Sequence, residues 1–140
     1  MTFRLPDSDF GRRVERRLRD DVIAWLTTVR RDGLPQPSPI WFLRDGDELL
    51  IYSRPATQKL RNIARSPLVS VHLDGDGRGG DIVVVSGEAR IAEDGPPAHE
   101  VAAYVEKYAP GFARLRMTAE QFAQTYSVAI RVRPTGLRGH

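Results

Sequence analysis

Two Asp-Gly steps, Asp32-Gly33 and Asp45-Gly46, cut a run of β-forming residues into three short pieces that must fold back on one another. Asp-Gly supplies the positive φ that a tight hairpin turn needs. Residues 22–29 (VIAWLTTV) are β-branched and aromatic, residues 34–43 follow the first step, and residues 48–53 follow the second. Three strands joined by two short turns make an antiparallel meander. The middle strand carries Pro35, Pro37 and Pro39 at alternate positions. Proline has no N–H to give a ladder, so one edge of that strand's first half must be unpaired or irregular.

The remaining pattern extends the sheet. Residues 58–65 read as a short helix with Leu60, Ile63 and Ala64 on its apolar side, closed by Pro67. Residues 68–73 and 81–92 read as strands around a glycine-rich connection, and 93–97 as a loop. Helices are predicted over 98–108 and 119–125, separated by Pro110-Gly111, with Thr118 and Gln121 forming a capping box for the second. Residues 126–132 make a sixth strand, ended by Pro134. Upstream, residues 8–20 read as a helix capped by Ser8 or Asp7, with Phe10, Val14 and Leu18 on one stripe. The 140 residues therefore read as one domain, with an N-terminal helical segment within 1–20 and a helical insertion at 98–125. Six antiparallel strands must hide their edges, and closure is the direct way to do so. The expected fold is mainly β (α+β), a six-stranded antiparallel β-barrel with peripheral helices.

Composition excludes several chemistries. The absence of cysteine removes disulfides, thiolate zinc sites, iron–sulfur clusters and cysteine nucleophiles. No apolar run approaches the ~20 residues that span a bilayer. The start, MTFRLPDSDFGRR, lacks the apolar core of a secretory signal, so the expected compartment is the cytoplasm. His72, His99 and His140 lie far apart, without metal-ligand spacing, and no metal site is expected. Gly75-Asp76-Gly77-Arg78-Gly79-Gly80 matches G-x-G-x-x-G in letters, but Ile82-Val83-Val84-Val85 follows as a strand, where a dinucleotide site needs a helix. Most acidic residues sit in turns, so no acid–base pair or nucleophile stands out. No side chain presents itself as catalytic, and a cofactor would have to supply any chemistry. The arginine-rich first helix could face nucleic acid, but the mixed Asp/Arg pattern and a net charge of only +3 argue against it.

The informative segment is 52–65. There are 19 arginines and only two lysines, Lys59 and Lys107. Lys59 falls in the first turn of the short helix, just after Ser53 and Thr57, with Arg61 and Arg65 beyond. A helix N-terminus with hydroxyls and an ammonium makes an anion cradle. A capped amphipathic helix with solvated basic residues accounts for the same letters, and the residues alone leave both readings open.

A resemblance separates them. Trp25 to Pro35 (WLTTVRRDGLP), Pro39-Ile40-Trp41-Phe42, Ile51-Tyr52-Ser53 and Lys59 to Val71 (KLRNIARSPLVSV) occur in order. Together they follow the ordered motifs A-T-[VIL]-x-x-D-G-x-P, P-[VI]-W-F and K-x-x-N-I, with Thr27 where alanine is usual. Over residues 15–133 the sequence resembles the pyridoxamine 5'-phosphate oxidase-like split β-barrel flavoproteins, within them the reductases dependent on the deazaflavin coenzyme F-420. The resemblance implies a homodimer with cofactor sites in grooves at the subunit interface. It places Ser38, Pro39, Ile40 and Trp41 beside the tricyclic ring. Ser53, Thr57, Gln58 and Lys59 would hold the phosphate and ribityl chain, with Asn62 and Arg65 at the same site. Ser86 and Gly87, and Arg131 or Arg133, would reach the ring or tail. Arg12, Arg13, Arg16, Arg17 and Arg61 would suit the polyanionic tail of F-420. The implied activity is hydride transfer from reduced deazaflavin to an unsaturated small molecule. The alternatives are an FMN-dependent flavoprotein of the same fold and a non-catalytic carrier of F-420 or flavin.

Overall fold

Chain order and sheet order together force a curled sheet. The computed structural model describes residues 3–140, so the first two residues of the 1–20 segment lie outside the described residues. Its elements are α1 (Asp9–Asp20), β1 (Ala24–Val29), β2 (Pro35–Ile40), β3 (Leu43–Asp45), β4 (Glu48–Ser53), α2 (Gln58–Arg65), β5 (Leu68–His72) and β6 (Val83–Ile91). A 3-10 turn (Ala98–Glu100), α3 (Ala102–Leu115), α4 (Ala119–Thr125) and β7 (Val128–Gly139) complete the fold. All strands join one antiparallel sheet in the order β2-β1-β5-β6-β7-β4-β3. The two edge strands, β2 and β3, are joined by Trp41 and Phe42 alone. So short a link spans only about 10 Å. The sheet therefore curls into a half-barrel until its edges are neighbours.

There are seven strands, not six, because the stretch read as one strand over 34–43 breaks at Trp41-Phe42. The Phe42 N–H donates to Tyr108 Oη (2.8 Å), and the Phe42 carbonyl accepts from Lys107 Nζ (2.9 Å). Side chains of α3 thus replace ladder partners where the backbone crosses from one sheet edge to the other. The last strand does not end at Pro134 but runs on to Gly139. Pro134 lies opposite Gly87 beside a register shift at Ser86/Gly87, a bulge where a missing N–H is tolerated. A Cβ on Gly87 would stand 2.8 Å from the Arg133 carbonyl oxygen. Nor does Pro110-Gly111 end a helix, since both lie inside α3. Pro110 is exposed, and the turns beyond it are held by Phe112, buried in an aromatic cluster. The predicted caps are present: Ser8 Oγ accepts from Gly11 N–H (3.1 Å), and Thr118 and Gln121 form a capping box.

β4 is buried on both faces. Leu49 and Ile51 point into the barrel with Val14, Leu18, Leu26, Val71 and Val132. Leu50 and Tyr52 point outward under α3 and α4, into a second cluster with Tyr104, Tyr108, Phe112 and Phe122. The α1 arginines are largely engaged by carboxylates: Arg12 with Asp7 and Asp9, Arg13 with Asp81, Arg17 with Asp21 and Asp81, Arg19 with Asp20. No helix among the described residues is long and apolar enough to cross a membrane.

Candidate functional site

Where β4 leaves the barrel at Ser53, residues 54–57 turn the backbone into α2. Ala56 takes the left-handed conformation (φ 61°) to complete that turn. Thr57 occupies the N-cap of α2, yet its side chain makes no bond to the helix. It bonds instead to Ser53 Oγ (3.1 Å), which itself donates to the Arg54 carbonyl (2.8 Å). The first N–H groups of α2 therefore have no side-chain cap.

These residues line one side of a cavity of about 330 Å³: Ser53, Arg54, Thr57 and Lys59. Pro39, Ile40, Trp41 and Tyr52 form its floor, and Leu115, Phe122 and Tyr126 its far wall. No carboxylate lines it. Lys59 is half-buried, and burial draws its pKa below the ordinary lysine value. Among the described residues Lys59 pairs with no carboxylate. Arg54 sits with its guanidinium 5.2 Å from the centre of the Tyr126 ring.

An aromatic stack joins the floor to the far wall. The Trp41 ring stacks on Tyr108 (centroids 4.6 Å apart, 6° between planes) and on Phe122 (5.3 Å, 11°). Phe122 in turn stacks on Tyr126 at 4.5 Å. Such a wall is rigid and apolar, as ligand pockets are.

β2 contributes a one-sided edge. Arg30 N–H donates to the Leu34 carbonyl (2.9 Å), so the next pair, Val29–Pro35, is a non-bonded one. By alternation Thr27–Pro37 and Trp25–Pro39 are non-bonded too. The carbonyls of Pro35, Pro37 and Pro39 thus face away from β1, along the free edge, with no N–H among them. This is a row of acceptors, and it cannot template a further strand.

The structure brings Pro39, Ile40, Trp41, Ser53, Thr57 and Lys59 to this one cavity. Ser38 is half-buried, and its Oγ is shut from solvent without a hydrogen-bond partner. Gln58 lines a separate surface recess with Arg30, Arg31, Asp32 and Gln36. Asn62 is fully buried; its amide nitrogen donates to Thr28 Oγ1 (3.0 Å) and Gln36 Oε1 (3.2 Å), and its oxygen accepts from Gln58 (2.8 Å). Arg65 donates to the Val29 carbonyl. Ser86 faces outward from the sheet, and Gly87 is buried against β7. Arg131 pairs with Asp45 and Glu48, and Arg133 with Glu88. Tyr52 and Arg54 lie within the segment 52–65 without having been singled out there, and sequence reasoning missed Leu115, Phe122 and Tyr126. For Tyr126 the available signal was an aromatic residue directly before a strand.

The architecture is that of a split β-barrel with a ligand-sized cavity at a strand–helix turn. Residues 10–136 match the pyridoxamine 5'-phosphate oxidase family, and the chain belongs to that family. Among solved structures, an F-420 reductase is 28% identical, with a TM-score of 0.66 over 89% of this protein and 94% of that one. A conserved hypothetical protein from Mycobacterium tuberculosis is 23% identical (TM-score 0.71; 96% of this protein and 84% of that one). The heme storage protein HutZ from Vibrio cholerae is 16% identical (TM-score 0.64; 98% and 95%). These last two show the fold alone. No curated protein matches the sequence.

Proposed function

We propose that the protein is a coenzyme F-420-dependent reductase that binds the cofactor's phosphate at the β4–α2 turn. The observation that carries this reading is Lys59: a half-buried ammonium with no carboxylate partner among the described residues, beside uncapped helix N–H groups in a ligand-sized cavity. A buried charge is costly unless it is paired, and an anionic ligand supplies the missing partner. The 28% identity to an F-420 reductase favours the deazaflavin over FMN.

When bound, the reduced deazaflavin supplies a hydride to an unsaturated carbon of the acceptor. Lys59, Thr57 and the first N–H groups of α2 would hold the phosphate. The Pro39 carbonyl stands ready to accept from an N–H on the ring's edge. Trp41, Phe122 and Tyr126 keep water from the apolar side. Among the described residues no carboxylate or histidine lines the cavity, and the acceptor's proton would come from solvent. The contribution of the protein is orientation and anion binding.

The outer face of β1, β5 and β6 supports a homodimer. Trp25, Thr27, Ser70, His72, Val84 and Ser86 adjoin there in register, with no carboxylate, lysine or arginine among them. The cofactor groove would be completed by the second copy. Titration of the apoprotein with F-420 and with FMN, side by side, tests the reading. F-420 binding in the micromolar range or tighter, with turnover of an enone or quinone panel, is expected. Preferential FMN binding sinks it, and stoichiometric F-420 binding without turnover supports the carrier alternative.

A further inference from the structure

Lys59 and Arg54 both line the cavity, and among the described residues no carboxylate lines it with them. Elsewhere in the fold, Arg12, Arg17, Arg90, Arg131 and Arg133 each lie within ion-pair distance of an aspartate or glutamate. Two cations bordering one cavity repel each other until anions enter it. They also stand in different surroundings. Lys59 is in the first turn of α2, next to N–H groups that one phosphate would occupy. Arg54 opens the turn, and its guanidinium lies over Tyr126, itself stacked on Phe122 in the aromatic wall. The ring face orients an otherwise exposed fork of donors, whose geometry suits a carboxylate.

Resting on the reading above, we propose that Arg54 is a specificity-determining residue that selects a hydride acceptor bearing a carboxylate beside a planar conjugated body. The planar body lies against Phe122, Tyr126 and Leu115, and the carboxylate meets Arg54. The cofactor's phosphate stays with Lys59. An uncharged acceptor of the same shape gains the stacking but not the ion pair, and it forces Arg54 to give up solvent for nothing. The wall comes from the α3–α4 insertion and Arg54 from the β4–α2 turn, so the selection arises only where the two are folded together.

The test uses two arms on the full-length protein. In the first, 2-naphthoate and 2-naphthamide are titrated without cofactor and followed by the fluorescence of Trp41, in a Trp25→Phe background that removes the only other tryptophan. Naphthoate is expected to bind at least tenfold tighter than the amide. Arg54→Gln should abolish that ratio, Arg54→Lys should retain part of it, and Lys59→Gln should leave it. Equal binding of the pair by the parent protein, or a ratio lost through Lys59→Gln and kept in Arg54→Gln, overturns the proposal. In the second arm, F-420 is titrated into the same variants. Arg54→Gln should change its affinity less than twofold; a tenfold loss would move Arg54 to the cofactor and overturn the proposal. Absence of F-420 binding by the parent protein would sink the cofactor reading, and the naphthoate ratio would then decide by itself whether Arg54 selects a planar anion.

Discussion

The hydroxyls of Ser53 and Thr57 lie 3.1 Å apart, a contact that turns Thr57 away from the helix it begins. An N-cap threonine ordinarily accepts from the helix and contributes about 1 kcal/mol. Here that bond is absent, and the helix N–H groups are left for something else. Thr57→Asp should restore the cap and place a negative charge on the helix dipole. Unfolding in urea should then show a gain of about 0.5–1 kcal/mol. The same carboxylate occupies the anion's place, so F-420 affinity should drop at least tenfold. A variant that gains stability and keeps its affinity would remove this helix end from the site.

Lys59 poses the same opposition between stability and binding. Burial lowers its pKa in the folded protein, which means that the ammonium is less comfortable there than in the unfolded state. The fold carries that penalty for as long as the ammonium is charged. Lys59→Met should remove that penalty and leave stability equal or higher. F-420 binding should weaken by about 1.5–3 kcal/mol, the scale of a hydrogen bond to a charged group. Calorimetric titration and thermal unfolding of one preparation measure both. Loss of stability together with unchanged affinity would make Lys59 a structural residue.

These two residues were visible in the sequence because their neighbourhood is local. A strand, a four-residue turn and the first turn of a helix bring Ser53, Thr57 and Lys59 together whatever the rest of the molecule does. The Asp-Gly turns placed the β1–β2 and β3–β4 hairpins for the same reason, although these lie at opposite edges of the sheet and not in one meander. The alternate prolines announced a free edge that the register bears out. What stayed hidden depends on distant partners. The break at Trp41-Phe42 is set by Lys107 and Tyr108, more than 60 residues away. Pro134 looks like a strand end until Gly87 is seen opposite it at a bulge. The aromatic wall is built by a helical insertion whose docking no local pattern reveals. Asn62 and Arg65 share the helix of Lys59, but only the fold turns Asn62 inward and ties Arg65 to the end of β1.

Asn62 fastens α2 to the first hairpin. It is fully buried, and Thr28, Gln36 and Gln58 all bond its amide. Asn62→Ala leaves the buried Thr28 hydroxyl without that partner and opens a small cavity. A loss of about 2–3 kcal/mol in urea unfolding is expected. A loss below about 0.5 kcal/mol would mean that water or a neighbour replaces the amide freely.

Lys107 should give stability a pH dependence of its own. Its Nζ sits 3.9 Å from the centre of the Phe42 ring and donates to the Phe42 carbonyl. Burial draws its pKa down to about 8, against the pull of Asp21 and Asp20. The folded value lies below the unfolded one, so between about pH 8 and 10 the unfolded state holds more protons. Stability should therefore rise with pH across that window, and Lys107→Met should lack the rise. Parallel pH profiles of unfolding free energy for the two proteins would contradict this assignment.

Gly111→Ala sets two effects of opposite sign against each other. In an exposed helix the alanine would gain about 1 kcal/mol from propensity alone. Gly111 is not exposed: an added Cβ would stand 2.6 Å from Trp41 Cη2 and 2.8 Å from Cζ2. The indole cannot step aside cheaply, because it is stacked on both Tyr108 and Phe122. Overpacking of this kind costs typically about 1–3 kcal/mol, enough to outweigh the propensity gain. The net expectation is a loss of about 1 kcal/mol in urea unfolding, with a shifted Trp41 emission. Because Trp41 also forms the cavity floor, F-420 affinity should fall with it. A stabilised Gly111→Ala protein with unchanged emission would mean that the stack slides as a unit, and the far wall would then be an adaptable surface and not a fixed one.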